Sequence, residues 1–168
     1  YYKSMIKKII STLCVLSAFV IGAQGTLLYA AGLATLRLEP PEKTVRVGEV
    51  FSFDVMLDAG EKHANAVSAI IRFNPALISF IGFDSASSSF PHPAREELRP
   101  GLVEVTRFTV PPAVTGNNAF VKRLQFKAIA GGNVMFSFEA GDGQSQVIDN
   151  DNVGTDILGF YPGATLRI

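Results

Sequence analysis

Residues 66–83 read AVSAIIRFNPALISFIGF, and the fold turns on how that stretch is divided. Val67, Ala69, Ile71 and Phe73 fall on one side of an extended chain, and Ser68, Ile70 and Arg72 on the other. Alternation of period two is what a half-buried strand requires, because successive side chains leave a sheet on opposite faces. Asn74-Pro75 then closes the strand: proline offers no N–H to a ladder and drives the residue before it out of helical geometry. Leu77–Phe83 resumes extended structure and is apolar on both faces, as in a strand buried twice or lying near the edge of a sandwich. Nothing in the stretch forms a nucleophile, a metal ligand or a phosphate cradle. It is scaffold, and the function belongs to surfaces.

The same alternation recurs outward from it. Ala34, Leu36 and Leu38 alternate with polar neighbours before Pro40-Pro41, and Thr44–Val47 forms a short strand ended by Gly48. Phe51, Phe53, Val55 and Leu57 alternate with Ser52, Asp54, Met56 and Asp58, the cleanest strand in the chain. Asp58–Asn65 reads as a polar loop carrying His63. After Phe83, the Ser- and Pro-rich run to Gly101 reads as a surface excursion with one helical turn at Ala94–Leu98. Gly101–Val110 is a strand whose apolar phase slips between Val105 and Phe108, which predicts a β-bulge near Thr106. Leu124, Phe126 and Ala128, then Val134, Phe136 and Phe138, continue the pattern across Gly131-Gly132, and Ser145–Ile148 and Ala164–Ile168 close it. About nine short strands without a helical period predict an all-β fold, an antiparallel sandwich with a phenylalanine-rich core.

The N-terminus is of another kind. Met5-Ile-Lys-Lys followed by an uncharged run from Ile9 to about Ile21 is the pattern of a secretory signal, with Ala23-Gln24-Gly25 as a small-x-small cleavage site and further candidate sites near Ala30 and Ala34. The competing reading is an uncleaved anchor, since a bilayer span needs roughly 20 apolar residues. Residues 1–33 are thus expected to be a signal peptide or membrane anchor, and 34–168 the folded domain, acting outside the cytoplasm. Fifteen basic residues balance fifteen acidic ones, which argues against an electrostatic nucleic-acid binder. The single cysteine, Cys14, lies in the apolar run, so the domain has no thiol chemistry and no disulfide.

Taken together, the folded part resembles the cohesin family, the jelly-roll modules that receive dockerins. The resemblance rests on Leu36-Arg37-Leu38-Glu39-Pro40, on Val47-Gly48-Glu49-Val50-Phe51 leading into Phe53-Asp54-Val55, and on Ile71-Arg72-Phe73-Asn74-Pro75-Ala76-Leu77. Leu124-Gln125-Phe126-Lys127-Ala128 before Gly131-Gly132, and Gly154-Thr155-Asp156-Ile157-Leu158, complete it in family order. It implies a nine-stranded antiparallel jelly roll and a non-catalytic, extracellular module, here a stand-alone secreted one, associated with polysaccharide degradation and carbohydrate binding. Its partner is expected to be a dockerin-like protein. The corresponding cohesin strand contributes to dockerin recognition, which makes Ser68, Ile70 and Arg72 the expected partner-binding residues. Ile70 on the polar side of its strand gives the mixed strip that a recognition surface needs.

Other constellations are weaker. Asp149-Asn150-Asp151-Asn152-Val153-Gly154, with Asp142 and Asp156 nearby, partly imitates a calcium loop, but Val153 stands at a ligand position and no bidentate Glu follows. Asn, Asp and Gly also make turns, and that reading is preferred. Glu96-Glu97 adjoin in one loop, whereas paired glycosidase carboxylates face each other across a cleft. His63 and His92 lack metal-ligand spacing. No cofactor, metal site or catalytic residue is expected. The alternative function is a carbohydrate-binding sandwich. Tryptophan is absent, leaving Tyr161, Phe90 and Phe120 as the loop-placed rings on which a polysaccharide would stack.

Overall fold

The computed structural model describes residues 33–84, 87–141, 144–151 and 153–168. The predicted signal or anchor therefore lies outside the described residues, Leu33 excepted. The described residues form thirteen strands and no helix, in two sheets. One runs β12 (Leu158–Phe160), β1 (Ala34–Glu39), β3 (Val50–Asp58), β9 (Ala119–Ala128), β5 (Ile78–Phe83). The other runs β2 (Glu42–Thr44), β13 (Ala164–Arg167), β10 (Asn133–Phe138), β4 (Gly60–Arg72), β7 (Leu102–Phe108), β6 (His92–Arg99); β8 (Val114–Gly116) and β11 (Gln146–Asp149) also pair with β4.

The expected alternations place the core. Phe53, Ile71, Phe126 and Phe136 are fully buried in one cluster with Leu36, Val55, Val67, Ala69 and Leu124. The Phe136 ring centroid lies 4.8 Å from that of Phe53 and 5.1 Å from that of Phe126, tilted or edge-on to each. Phe73 completes the group, edge-on to Phe126 at 5.5 Å. Facing sheets thus interlock through rings donated by β3 and β9 on one side and by β10 and Phe73, just past the end of β4, on the other, a favourable arrangement for aromatic quadrupoles. The corner at Asn74-Pro75 forms as the sequence requires: the Asn74 side chain accepts the Ala76 N–H at 3.0 Å, and the Asn74 carbonyl accepts that of Leu77 at 3.2 Å. After it, β5 is an edge strand whose Ile81 has no partner in β9, because the register shifts between Phe80 and Gly82.

Several expectations are corrected. The described strands number thirteen rather than nine, and two pairings are parallel, β1 with β12 and β13 with β2. The parallel additions are three-residue rim strands, too short to display any alternation. Asp58–Asn65 is not a loop: β4 begins at Gly60, whose positive φ of 59° makes the turn, and β8 and β11 supply the partners for its polar first half. The excursion after Phe83 carries no helical turn, because residues 92–99 are strand β6, paired with β7. Nor does β7 bulge, its pairing with β4 running unbroken from Leu102 to Phe108. The irregularity lies opposite, between Pro93 and Arg95 of β6.

The apparent phase slip in β7 has another cause. Arg107 takes the inward position beside Val103 and Val105, while Phe108 points out. Buried there, the Arg107 guanidinium donates to the carbonyls of Phe90 (2.8 Å) and Pro91 (3.0 Å) and to the Glu96 carboxylate. Lys122 Nζ, from β9 of the facing sheet, lies 3.3 Å from the same Glu96 oxygen. A charge at a core position is tolerated only when its donors are spent in this way.

The faces assigned here have a direct test. Phe126→Ala should cost about 3–5 kcal/mol, since a cavity remains where the ring stood. Lys127→Ala, one residue along on the exposed face, should change stability little. Chemical denaturation of both variants measures this, and equal losses would contradict the strand phase.

Candidate partner-binding face

Direct cross-strand partners in an antiparallel sheet share a face, so the registers of β4, β7 and β6 define the outer surface row by row. Arg72, Leu102 and Arg99 form one row, and Ile70, Glu104 and Glu97 the next. Ser68, Thr106 and Arg95 follow, then Ala66, Phe108 and His92. The three predicted residues therefore stand in a single column on β4, facing away from the core.

Their environments differ. Ser68 is half-buried and shares a 3.0 Å hydroxyl hydrogen bond with Thr106 across the ladder. Ile70 is only 8% exposed, yet it stands apart from the interior cluster. It marks the point where β4 changes partner, from β10 at Arg72 and Ile71 to β11 at Ser68. There its N–H donates to Ser145 Oγ at 3.0 Å and its carbonyl accepts the Glu139 N–H at 2.8 Å. Of the described residues of the 84–100 excursion, those of β6 are separated from β4 by β7, and Phe90 is in the core. Arg72 is exposed, and its Nε donates to Glu139.

Beside this column the face is charged. Glu104, buried at 6% exposure, accepts from Arg99 at 2.6 Å and Arg95 at 3.3 Å. Sequence reasoning missed Glu104, Arg95 and Arg99, because β6 was read as loop; the available signal was the charge around Pro100, with Arg95, Glu96, Glu97 and Arg99 before it and Glu104 and Arg107 after it. At the His92 end, the imidazole stacks on the half-exposed Phe108 ring at 5.1 Å. The surface is thus mainly polar, with one aromatic end and little free apolar area.

The remaining sequence candidates separate cleanly. Phe90 is fully buried and cannot stack on a sugar, Phe120 is half-buried, and Tyr161 is 38% exposed, next to Phe160 at 53%. In the acidic loop, Asp151 accepts the N–H groups of Val153, Gly154 and Thr155 and the Thr155 hydroxyl. Those bonds, the hydroxyl first, hold its carboxyl below the usual range. The carboxylate is occupied in making the turn, while Asp142 and Asn152 lie outside the described residues.

No protein-family model and no curated protein matches the sequence. Solved structures do. Matches include the third cohesin of ScaC from Acetivibrio cellulolyticus, in complex with the ScaB dockerin (TM-score 0.64, 12% identity, 81% of this chain and 99% of that one). The type III cohesin module of the ScaE cell-surface anchoring scaffoldin of Ruminococcus flavefaciens matches over 88% of this chain and 94% of its own, with TM-score 0.62 and 11% identity. A non-cellulosomal cohesin from the archaeon Archaeoglobus fulgidus gives TM-score 0.59 and 10% identity, covering 81% and 91%. The chain has the cohesin fold. At these identities the likeness lies in the backbone and the placement of the core, not in shared surface residues.

On this cohesin fold, Arg72 sets the charge of its neighbour: its hydrogen bond holds the Glu139 carboxyl below the ordinary carboxylate range. A depressed carboxylate contributes at neutral pH and loses that contribution as pH falls through its own titration. Following the Glu139 side-chain carbon by NMR should therefore show titration below that of a free glutamate, and Arg72→Met should move it upward. An unchanged midpoint in the variant would mean the pair does not persist in solution.

Proposed function

We propose that the chain is a non-catalytic protein-interaction module that takes a dockerin-like domain on the outer face of β4, β7 and β6, with Ser68, Ile70 and Arg72 as the column that positions it. The observation that carries this is the face itself: a sheet surface of paired charges around a shielded Ile70, on a cohesin fold. Several of the similar solved structures are cohesin–dockerin complexes, which supports a protein partner. A mostly polar surface selects its partner by charge placement, and electrostatic complementarity governs specificity and association rate more than total affinity. The N-terminal pattern supports an extracytoplasmic setting, and the scaffoldin relatives support a role in polysaccharide-degrading assemblies.

Polysaccharide binding is the second reading, favoured by the exposure of Phe160 and Tyr161 on the β12 side of the other sheet. Calorimetric titration of the full chain with a panel of type I and type III dockerins, run beside cellulose, xylan and chitin pull-downs, separates the two. Saturable dockerin binding should weaken at least about tenfold, ~1.4 kcal/mol, in Arg72→Glu, and be unaffected by Tyr161→Ala. Failure of every dockerin, together with polysaccharide retention abolished by Tyr161→Ala, would replace the protein-partner reading with the carbohydrate one.

A further inference from the structure

Strand β6 is held to the sandwich in an unusual way. Of its eight residues seven are exposed and only Glu96 is half-buried; even Leu98, at an inward position, is 51% exposed. Apolar burial, the usual reason for a strand to stay in a sheet, contributes almost nothing here. Besides its ladder with β7, the strand is fixed by two carboxylates on opposite faces. On the outer face, the buried Glu104 of β7 takes Arg99 at 2.6 Å and Arg95 at 3.3 Å, both from β6. On the inner face, Glu96 of β6 takes Arg107 of β7 and, at 3.3 Å, Lys122 of β9. Each carboxylate thus serves two cations. The other ionisable groups about the strand are Glu97, opposite Glu104 and 3.9 Å from Arg99, His92 stacked on Phe108, and Arg72 one row away on β4.

We propose that β6 is an acid-released edge strand: protonation of Glu96 and Glu104 leaves Arg95, Arg107 and Lys122 without their anions and Arg99 with Glu97 alone, and the strand detaches from β7 while the rest of the sandwich stays folded. Removing one partner of a buried ion pair is strongly destabilising, because it leaves the opposite charge uncompensated. At Glu96 the uncompensated cations, Arg107 and Lys122, are nearly inaccessible, with side-chain exposures of 8% and 9%. Local opening of this kind is ordinary where few apolar contacts hold an element in place. What it uncovers is specific. β7 would lose its outer neighbour and offer an unpaired ladder edge, and the rows contributed by Arg95, Glu97 and Arg99 would leave the sheet face. The inference rests on β6 alone and does not depend on the identity of any partner.

Hydrogen exchange on the full chain tests it, comparing protection factors of the β6 amides with those of Ala66–Arg72 in β4. Between pH 7 and the most acid pH at which β4 remains fully protected, protection across His92–Arg99 should fall at least about tenfold. The double variant Glu96→Gln/Glu104→Gln should show weak β6 protection at both pH values. It retains His92 and Glu97, so an acid response surviving in it would assign the effect to them and overturn the proposal. Loss of β6 and β4 protection in step, or a β6 protection insensitive to pH in the wild type, would overturn it equally.

Discussion

Strand β4 pairs on one side with β7, from Ala66 to Arg72, and then with β8, and on the other with β10 and β11 in succession, so a slip of one residue along it would exchange every inward and outward side chain of the larger sheet. Val67, Ala69 and Ile71 would then face water, and Ser68 and Arg72 would enter the core. The interlocked rings of Phe53, Phe73, Phe126 and Phe136 are the energetic side of the same constraint. They fill the interior only when β4 presents small residues at 67 and 69 and leaves Phe73 at the corner. Burying such rings contributes on the order of 2–3 kcal/mol each, against a net stability of roughly 5–15 kcal/mol for a domain. Register and aromatic packing therefore stand or fall together, and the candidate surface on β4 inherits its orientation from them.

Where a strand has one face in this core, its sequence says so. The alternations at 34–39, 51–58, 66–73, 124–128 and 134–138 are all realised, and the Asn74-Pro75 corner falls in place. What the sequence conceals are strands whose two faces are chemically alike. β6, reading HPAREELR, is polar on both sides because it is an exposed edge, and Arg-Glu-Glu-Leu-Arg is composed of good helix formers. Ladder bonding and paired charges override that preference. The first half of β4, GEKHAN, is concealed for the same reason. Arg107 misleads in the opposite direction: a cation at a core position makes a regular strand look as though it slips.

For the candidate face, the column of Ser68, Ile70 and Arg72 was legible because it is simply the complement of the core face. Its neighbours were not, since Arg95, Glu97 and Arg99 join it only through the pairing of β6 with β7, a long-range fact with no local signal. Nor does alternation reveal that Ile70 is nearly enclosed. Its enclosure coincides with the change of partner strand at that residue, where Ser145 and Glu139 hydrogen-bond to its backbone. Two kinds of cohesion thus coexist in one sandwich, apolar rings in the middle and shared carboxylates along the β6 margin, and they respond to different solvent conditions.

The opposite margin carries a different hazard. β5 reads ISFIGF, six uncharged residues without proline and with high strand propensity, the composition of segments that stack into steric zippers. It lies at the rim of its sheet, where a straight edge would template growth by a second chain. Ile81 prevents this by standing out of register, half-exposed, so that the backbone bends where an incoming strand would need it flat. That single extra residue, a minor irregularity in the ladder, acts as a safeguard against fibrils. The hexapeptide is one residue too long for its partner, and that mismatch interrupts the straight edge on which an incoming strand would need to pair.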